Sequence, residues 1–234
     1  MSKRSQVPGT DEEPDPGKPA RKVVTRSPGH TVRLINLPHL QKTGIEADSS
    51  LERDFTYRVL PFPFVRRIVH QPFTLELSYG RYTPDFLVGF EDGSGAVAEV
   101  KPRSKIKHYE EKFAEARVML ATKSLSFLVA HDFLLKREDL HERARIIRRY
   151  AKGTYPASEK ALVLSALNDV PMGLSLKELL DRGVRKTTVL HLVAQQKLQI
   201  GADLDIGDAA NFCLPETTNG EGCHAIRFAS WLGA

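Results

Sequence analysis

Asp85, Glu99 and Lys101 are the residues of this chain whose types and spacing could do chemistry. All three lie in YTPDFLVGFEDGSGAVAEVK, residues 82–101. Asp85 follows Pro84 and opens FLVGF, a run apolar enough for a buried strand. EDGSG is rich in residues that tolerate positive φ and reads as a turn. AVAEVK reads as a second short strand. Strand side chains alternate faces, so Glu99 and Lys101 share one face while Val100 points into the core. Paired as a hairpin, the two strands bring Asp85 to Glu99 and Lys101. Two carboxylates held close repel each other and favour a hard divalent cation, Mg²⁺ with Mn²⁺ as a substitute, which takes few protein oxygens and keeps several waters. Such a cation polarises a phosphate and lowers the pKa of a bound water. The lysine ammonium orients or helps activate that water and offsets charge developing on the phosphate oxygens.

With 27% charged residues, an E-x-K triplet alone arises by chance roughly once in such a chain. Order, spacing and the apolar runs around all three groups make the constellation informative. It resembles the PD-(D/E)xK nuclease superfamily, whose minimal motif stands here as Pro84-Asp85 and Glu99-Val100-Lys101. The resemblance implies a cation held by Asp85, Glu99 and the Val100 carbonyl.

A third carboxylate lies upstream. ADSSLERDFTYRVLPF starts with serines suited to a helix N-cap and continues with Leu51, Phe55, Tyr57 and Val59 as apolar contacts. Glu52 on such a helix could complete a metal site, with Asp54 as the alternative ligand. Ser49-x-x-Glu52 is equally a capping box, in which Glu52 serves only the helix end. Spacing leaves both roles open.

SSLERDF, PFPFV, HQPFTLEL, YTPDF and EVKPRS, in that order, resemble the amino-terminal domain of the TnsA family over about residues 45–135. That resemblance assigns the active site to Glu52, Asp85 and Lys101, with Glu99 at a position where members also carry glutamine. It implies the endonuclease subunit of a heteromeric transposase. Such a subunit cuts the 5′ ends, the non-transferred strands, of double-stranded transposon-end DNA. A TnsB-like DDE transposase cuts and joins the 3′ ends, and a TnsC-like AAA+ ATPase engages the C-terminal region. The implied setting is the bacterial cytoplasm, nucleoid-associated during transposition. Two rival readings are a free-standing restriction- or repair-type endonuclease and a non-catalytic winged-helix DNA-binding adaptor.

The remaining sequence sets bounds. A chain of 234 residues with 41% hydrophobic content suits two small domains. Cys213 and Cys223 are too few for a disulfide framework or a structural zinc site. No apolar run approaches ~20 residues, and MSKRSQVPGTDEEP lacks the apolar stretch of a signal peptide, so a soluble intracellular protein is expected. Net charge of +5 agrees with a polyanionic partner.

The expected organisation has four parts: a flexible polar and basic arm over 1–30, a nuclease domain over 31–152, a winged-helix-like unit over 153–215, and a tail over 216–234. The fold class expected is α/β, a restriction-endonuclease-like mixed sheet flanked by helices, plus the small C-terminal winged helix. Helices are expected over about 106–121 and 137–151, with LSFLVA as a strand between them. Arg103, Lys105 and Lys107, directly beyond the catalytic strand, are candidate phosphate contacts. The basic face of Arg143, Arg145, Arg148 and Arg149 is either solvated or a DNA contact. Arg185 and Lys186 would lead a recognition helix into the major groove. In the tail, Ile226, Phe228 and Trp231 are candidate anchors for a partner.

Overall fold

The computed structural model describes residues 33–216 and 223–234; the expected arm over 1–30 lies outside them, as does part of the tail. Strands β1 (Arg33–Ile35) and β2 (Ile45–Ala47) pair antiparallel and lead into helix α1 (Ser50–Val59). β3 (Val65–His70) follows, then a small hairpin of β4 (Leu75–Leu77) and β5 (Gly80–Tyr82). The expected hairpin forms as β6 (Phe86–Phe90) and β7 (Gly95–Lys101), antiparallel, with Phe86 opposite Ala98. Its turn is closed by Asp92, whose Oδ1 accepts from Ser94 N at 2.9 Å and Ser94 Oγ at 2.6 Å, while Gly93 takes the positive φ of 80°.

The chain from 103 to 121 is not one helix. It runs as α2 (Arg103–Ile106), a 3₁₀ turn over 107–109, and α3 (Glu110–Ala121). β8 (Leu125–His131) then pairs parallel to β7. The helix expected over 137–151 forms as α5 (Leu140–Arg149), starting later because Glu138 and Asp139 take positive φ and part it from the short α4 (Asp132–Lys136).

The central sheet has the order β3-β6-β7-β8, mixed in direction, and alternation sorts its side chains between two layers. On one face Phe86, Val88, Ala96, Ala98 and Val100 meet Phe55 and Val59 of α1, Ile147 of α5 and the C-terminal helix. On the other, Leu87 and Val97 pack with Phe113, Ala116 and Leu120 of α3 and with Leu75, Leu77 and Tyr82 of the small hairpin. Glu99 and Lys101, in phase with Val97, belong to this second face. It is an α/β fold with a helix-flanked sheet, as expected.

The C-terminal unit comprises α6 (Ala157–Asn168), β9 (Leu174–Ser175), α7 (Leu176–Asp181), α8 (Lys186–Ala194), β10 (Gln199–Ile200) and β11 (Asn211–Cys213). Its strands form an antiparallel sheet in the order β10-β11-β9. Ser175 caps α7 through a full capping box with Glu178. This unit packs directly on the preceding elements. One apolar cluster runs from Ile35 through Val163 and Leu192 to Leu232. Gln195 Nε2 donates to Ala151 O at 2.7 Å, and Gln196 Nε2 donates to Leu60 O at 3.2 Å.

The tail closes as helix α9 (His224–Leu232), with Gly233 at φ 82° ending it. Phe228 is fully buried against Phe62 and Phe90, and Trp231 stacks near both Phe62 and Phe228. Burial of a phenylalanine contributes roughly 1.5–3 kcal/mol to holding such a helix on the sheet. Of the three candidate anchors only Ile226 is exposed; Phe228 and Trp231 are spent inside the chain.

Candidate active site

The antiparallel ladder between β6 and β7 ends at Phe86 opposite Ala98. Beyond it Pro84 intervenes, and the N–H of Val100 needs another acceptor. Asp85 supplies one: its Oδ2 accepts from Val100 N at 2.8 Å. Its carbonyl meanwhile accepts from Gln71 N, just past β3, at 2.8 Å. The aspartate is therefore tethered to the strands on both sides, which fixes where its carboxylate points.

Lys101 closes the group. Its Nζ lies 2.6 Å from Glu99 Oε1 and 3.8 Å from Asp85 Oδ2. Glu99 is buried, and its second oxygen accepts the Tyr82 hydroxyl proton at 2.7 Å. These side chains line a cleft of about 270 Å³ together with Arg81, Thr83, Tyr109, Lys112 and Phe113. Lys112 Nζ sits 4.8 Å over the Tyr82 ring.

Electrostatics follow from this crowding. Burial pushes the Asp85 carboxyl up, and the Glu99 charge adds to it; Lys101 and the Val100 N–H pull the other way, leaving it at about 7. Burial alone would lower Lys101, but the charges of Asp85 and Glu99 prevail and its pKa is raised, so it is an ammonium at neutral pH. Tyr82 is held protonated by burial and by Glu99.

The donor set accommodates a small hard cation. It offers carboxylate oxygens, and a neutral-pH Asp85 that burial and Glu99 keep on the edge of protonation gains from added positive charge. Among the described residues no group of three or more His, Cys, Asp or Glu side chains is gathered as a metal cage. Two carboxylates with the balance made by water is how Mg²⁺ is commonly held.

Glu52 takes the capping role that its spacing allowed. Its Oε1 accepts from Ser49 Oγ at 2.9 Å and its Oε2 from Asp48 N at 2.8 Å, while Glu52 N donates to Ser49 Oγ at 3.1 Å. These bonds close the N-terminus of α1. The same carboxylate is near enough to Lys101 and Asp85 to act on both charges. Burial raises its pKa, against the pull of the cap bonds and of Lys101. Asp54, the alternative, is buried and paired with Arg53 at 2.5 Å.

The residues expected to contact DNA are placed elsewhere. Arg103 donates its backbone N–H to Asp132 Oδ1 at 2.6 Å and lies 5.4 Å over the Phe133 ring. Arg103 and Lys107 line a different, larger cavity beside β8, and Lys105 is exposed on α2. None of the three lines the cleft; Arg81 and Lys112 do. Sequence reading missed both, and Tyr82 with them. The signal was the turn in LELSYGRY, a hairpin whose last residue ends three short of Asp85, and the Tyr109–Lys112 helical spacing. Arg185 is ion-paired with Glu159 at 2.8 Å, and Thr188 to Ala194 of α8 are all buried. What α8 leaves accessible is its first turn, around Lys186 and Thr187.

Residues 62–132 match the family model described as TnsA-like endonuclease N terminal. That span contains Asp85, Glu99 and Lys101 and stops short of Glu52. No curated protein matches the chain.

Proposed function

We propose that this chain, whose residues 62–132 match the TnsA-like endonuclease N-terminal model, is the DNA-cutting subunit of a transposase. It hydrolyses phosphodiesters at the 5′ ends, the non-transferred strands, of transposon-end DNA. The single observation that carries this reading is the convergence of Asp85, Glu99 and Lys101 in one cleft inside the matched span.

Asp85 and Glu99, with the Val100 carbonyl, would hold a Mg²⁺ ion, Glu52 contributing directly or through water. When bound, the cation supplies Lewis-acid polarisation of the scissile phosphate and a water of lowered pKa. The chain's own groups do the rest. Lys101, kept protonated by its two carboxylates, donates to the attacking water or a phosphate oxygen and offsets the charge that develops there. Tyr82 fixes the Glu99 carboxylate, and the Val100 N–H fixes Asp85, so neither reorganises as charge builds. Lys112, and Arg81 beside its exposed partner Glu76 at 3.2 Å, line the cleft and would neutralise flanking phosphates.

Two partners belong to the proposal: a TnsB-like DDE transposase that cuts and joins the 3′ ends, and a TnsC-like AAA+ ATPase. The order of strands and helices in the C-terminal unit supports a winged helix, used here for docking on the nuclease domain more than for base reading, since α8 is largely covered. The test is strand-resolved cleavage of transposon-end DNA in Mg²⁺, with the chain alone and with its co-encoded transposase and ATPase. Cuts at the 5′ ends that need the partners and vanish in Lys101→Ala support the proposal. Lys101-dependent cuts without partners indicate a free-standing nuclease, and no such cut in either condition refutes nuclease function.

A further inference from the structure

A second set of cations lies on α1 and α5, outside the catalytic cleft. α1 and α5 pack together, and between them opens a groove of about 370 Å³ lined by Tyr57, Arg145, Ile146, Arg148 and Arg149. Arg53 stands one turn before Tyr57 on the same face of α1. The guanidinium of Arg53 lies 6.0 Å from the Tyr57 ring centre and that of Arg148 lies 5.8 Å from it. Both are at the outer limit of a cation–π contact, about 6 Å, so neither is tightly committed to the ring.

The acids nearby are already used. Asp54 is paired with Arg53 and Glu142 with Arg145. Among the described residues, Arg148 and Arg149 have no ion-pair partner, and Arg148 Nε is a buried donor with no acceptor. Arg148 is half-buried, and its buried donor left one bond short carries a cost that an anion supplying the acceptor recovers. Arg143 is a different case: it donates to the carbonyls of Asp203 and Glu138 and is structural.

We propose that the α1/α5 groove is a binding site for a DNA backbone phosphate, gripped chiefly by Arg148 and Arg149 beside Tyr57. The inference rests on the endonuclease reading of the chain. Arginine forks match phosphate geometry and carry no base information, so the contact is sequence-independent. A phosphate held there positions the duplex without reading its sequence.

The test is fluorescence anisotropy of the full chain with a labelled duplex of about 20 base pairs, in EDTA, over a series of salt concentrations. The variants are Arg149→Glu, an exposed position, and Arg148→Ala/Arg149→Ala, each checked for folding by circular dichroism. Affinity is expected to fall about tenfold or more, and the slope of log K against log salt to shrink by about one unit per phosphate lost. The loss is expected to be equal on transposon-end and unrelated duplexes. Unchanged affinity and slope in the folded Arg149→Glu variant overturn the proposal, as does a loss confined to one sequence. Lys101→Ala separates this from the catalytic reading. If it abolishes cleavage and keeps wild-type binding, the nuclease reading holds whatever the groove variants do. If the wild type binds through the groove and never cuts, the groove stands and the nuclease reading falls.

Discussion

The Tyr82 hydroxyl donates to Glu99 Oε2 at 2.7 Å while Lys101 holds the other oxygen, Oε1, at 2.6 Å. Glu99 is buried, so each of these bonds replaces water that the carboxylate has given up. The hydroxyl comes from a hairpin that is itself tied to α3: Ser78 N and Oγ donate to the two Glu115 oxygens at 2.7 and 2.6 Å, and Tyr79 donates to Glu111 at 2.7 Å.

Tyr82→Phe deletes one donor and almost no volume. It is expected to cost about 1–3 kcal/mol of stability, the usual penalty for leaving a buried acceptor unpaired. Cleavage should drop about tenfold or more, because Glu99 is then free to turn. Paired denaturation and single-turnover assays check it. Wild-type rates in Tyr82→Phe would remove the hydroxyl from the site's machinery.

Asp85 gives a pH signature. Its ordinary value is 3.8, and in the fold it stands at about 7 through burial and the Glu99 charge. Between those values the folded protein keeps a proton that the unfolded chain has released. This carboxyl's contribution to stability therefore falls as pH rises from 3.8 towards 7 and is level above. Asp85→Asn, whose Oδ1 still accepts from Val100 N, removes that liability. The variant is expected to be inactive, to melt above wild type near pH 8 by about 1–3 kcal/mol, and to match it near pH 4. Thermal melts across pH decide; a variant less stable than wild type at every pH would contradict the sign.

Glu52 and Ser49 separate two roles that share one carboxylate. Ser49→Ala removes the N-cap acceptor and should cost about 1 kcal/mol with cleavage largely retained. Glu52→Gln keeps one acceptor, for Asp48 N, and its amide N–H can donate to Ser49 Oγ, but it loses the charge felt by Lys101 and Asp85. It should melt close to wild type and lose about a hundredfold in cleavage rate. If the two variants lose activity in proportion to stability, Glu52 is only a cap.

How much of this was legible follows from how locally it is encoded. The β6–β7 hairpin announced itself because turn chemistry, apolar runs and alternation all sit within residues 82–101. Glu52 was legible as two roles and could not be resolved by spacing, since the cap and the charge near Lys101 use the same atoms. Other features depend on pairs far apart in sequence. Asp92 and Ser94 read as turn residues, yet Asp92 Oδ2 also accepts from His224 N at 2.7 Å and Ser94 Oγ from Ala225 N at 3.1 Å, docking α9. Arg185 looked like a DNA contact until Glu159 was placed beside it. A helix that reads as a recognition helix is covered because α5 and the carbonyls of Tyr150 and Ala151 lie against it.

Arg58 and Trp231 offer the last prediction, on how the C-terminal helix is held. Arg58 is buried, its guanidinium 3.7 Å over the Trp231 ring, with Nη2 donating to the carbonyls of Ala202 and, at 3.3 Å, Trp231. Among the described residues no carboxylate is in ion-pair contact with it and its Nε and Nη1 have no acceptor; burial lowers its pKa to about 9, against the pull of the Asp203 charge. At neutral pH it is still a cation, so the indole face compensates a charge that is otherwise stranded. Removing the ring while keeping the charge should be costly: Trp231→Ala is expected to lose about 3–5 kcal/mol. Replacing the charge by a similar apolar volume should be mild, so Arg58→Met is expected within about 1 kcal/mol of wild type or above it. The double variant should then lose less than the sum of the two, because the ring no longer has a cation to compensate. Equilibrium denaturation of all four proteins measures the coupling. Strict additivity would mean that Trp231 holds α9 by packing alone and that the buried cation plays no part in it.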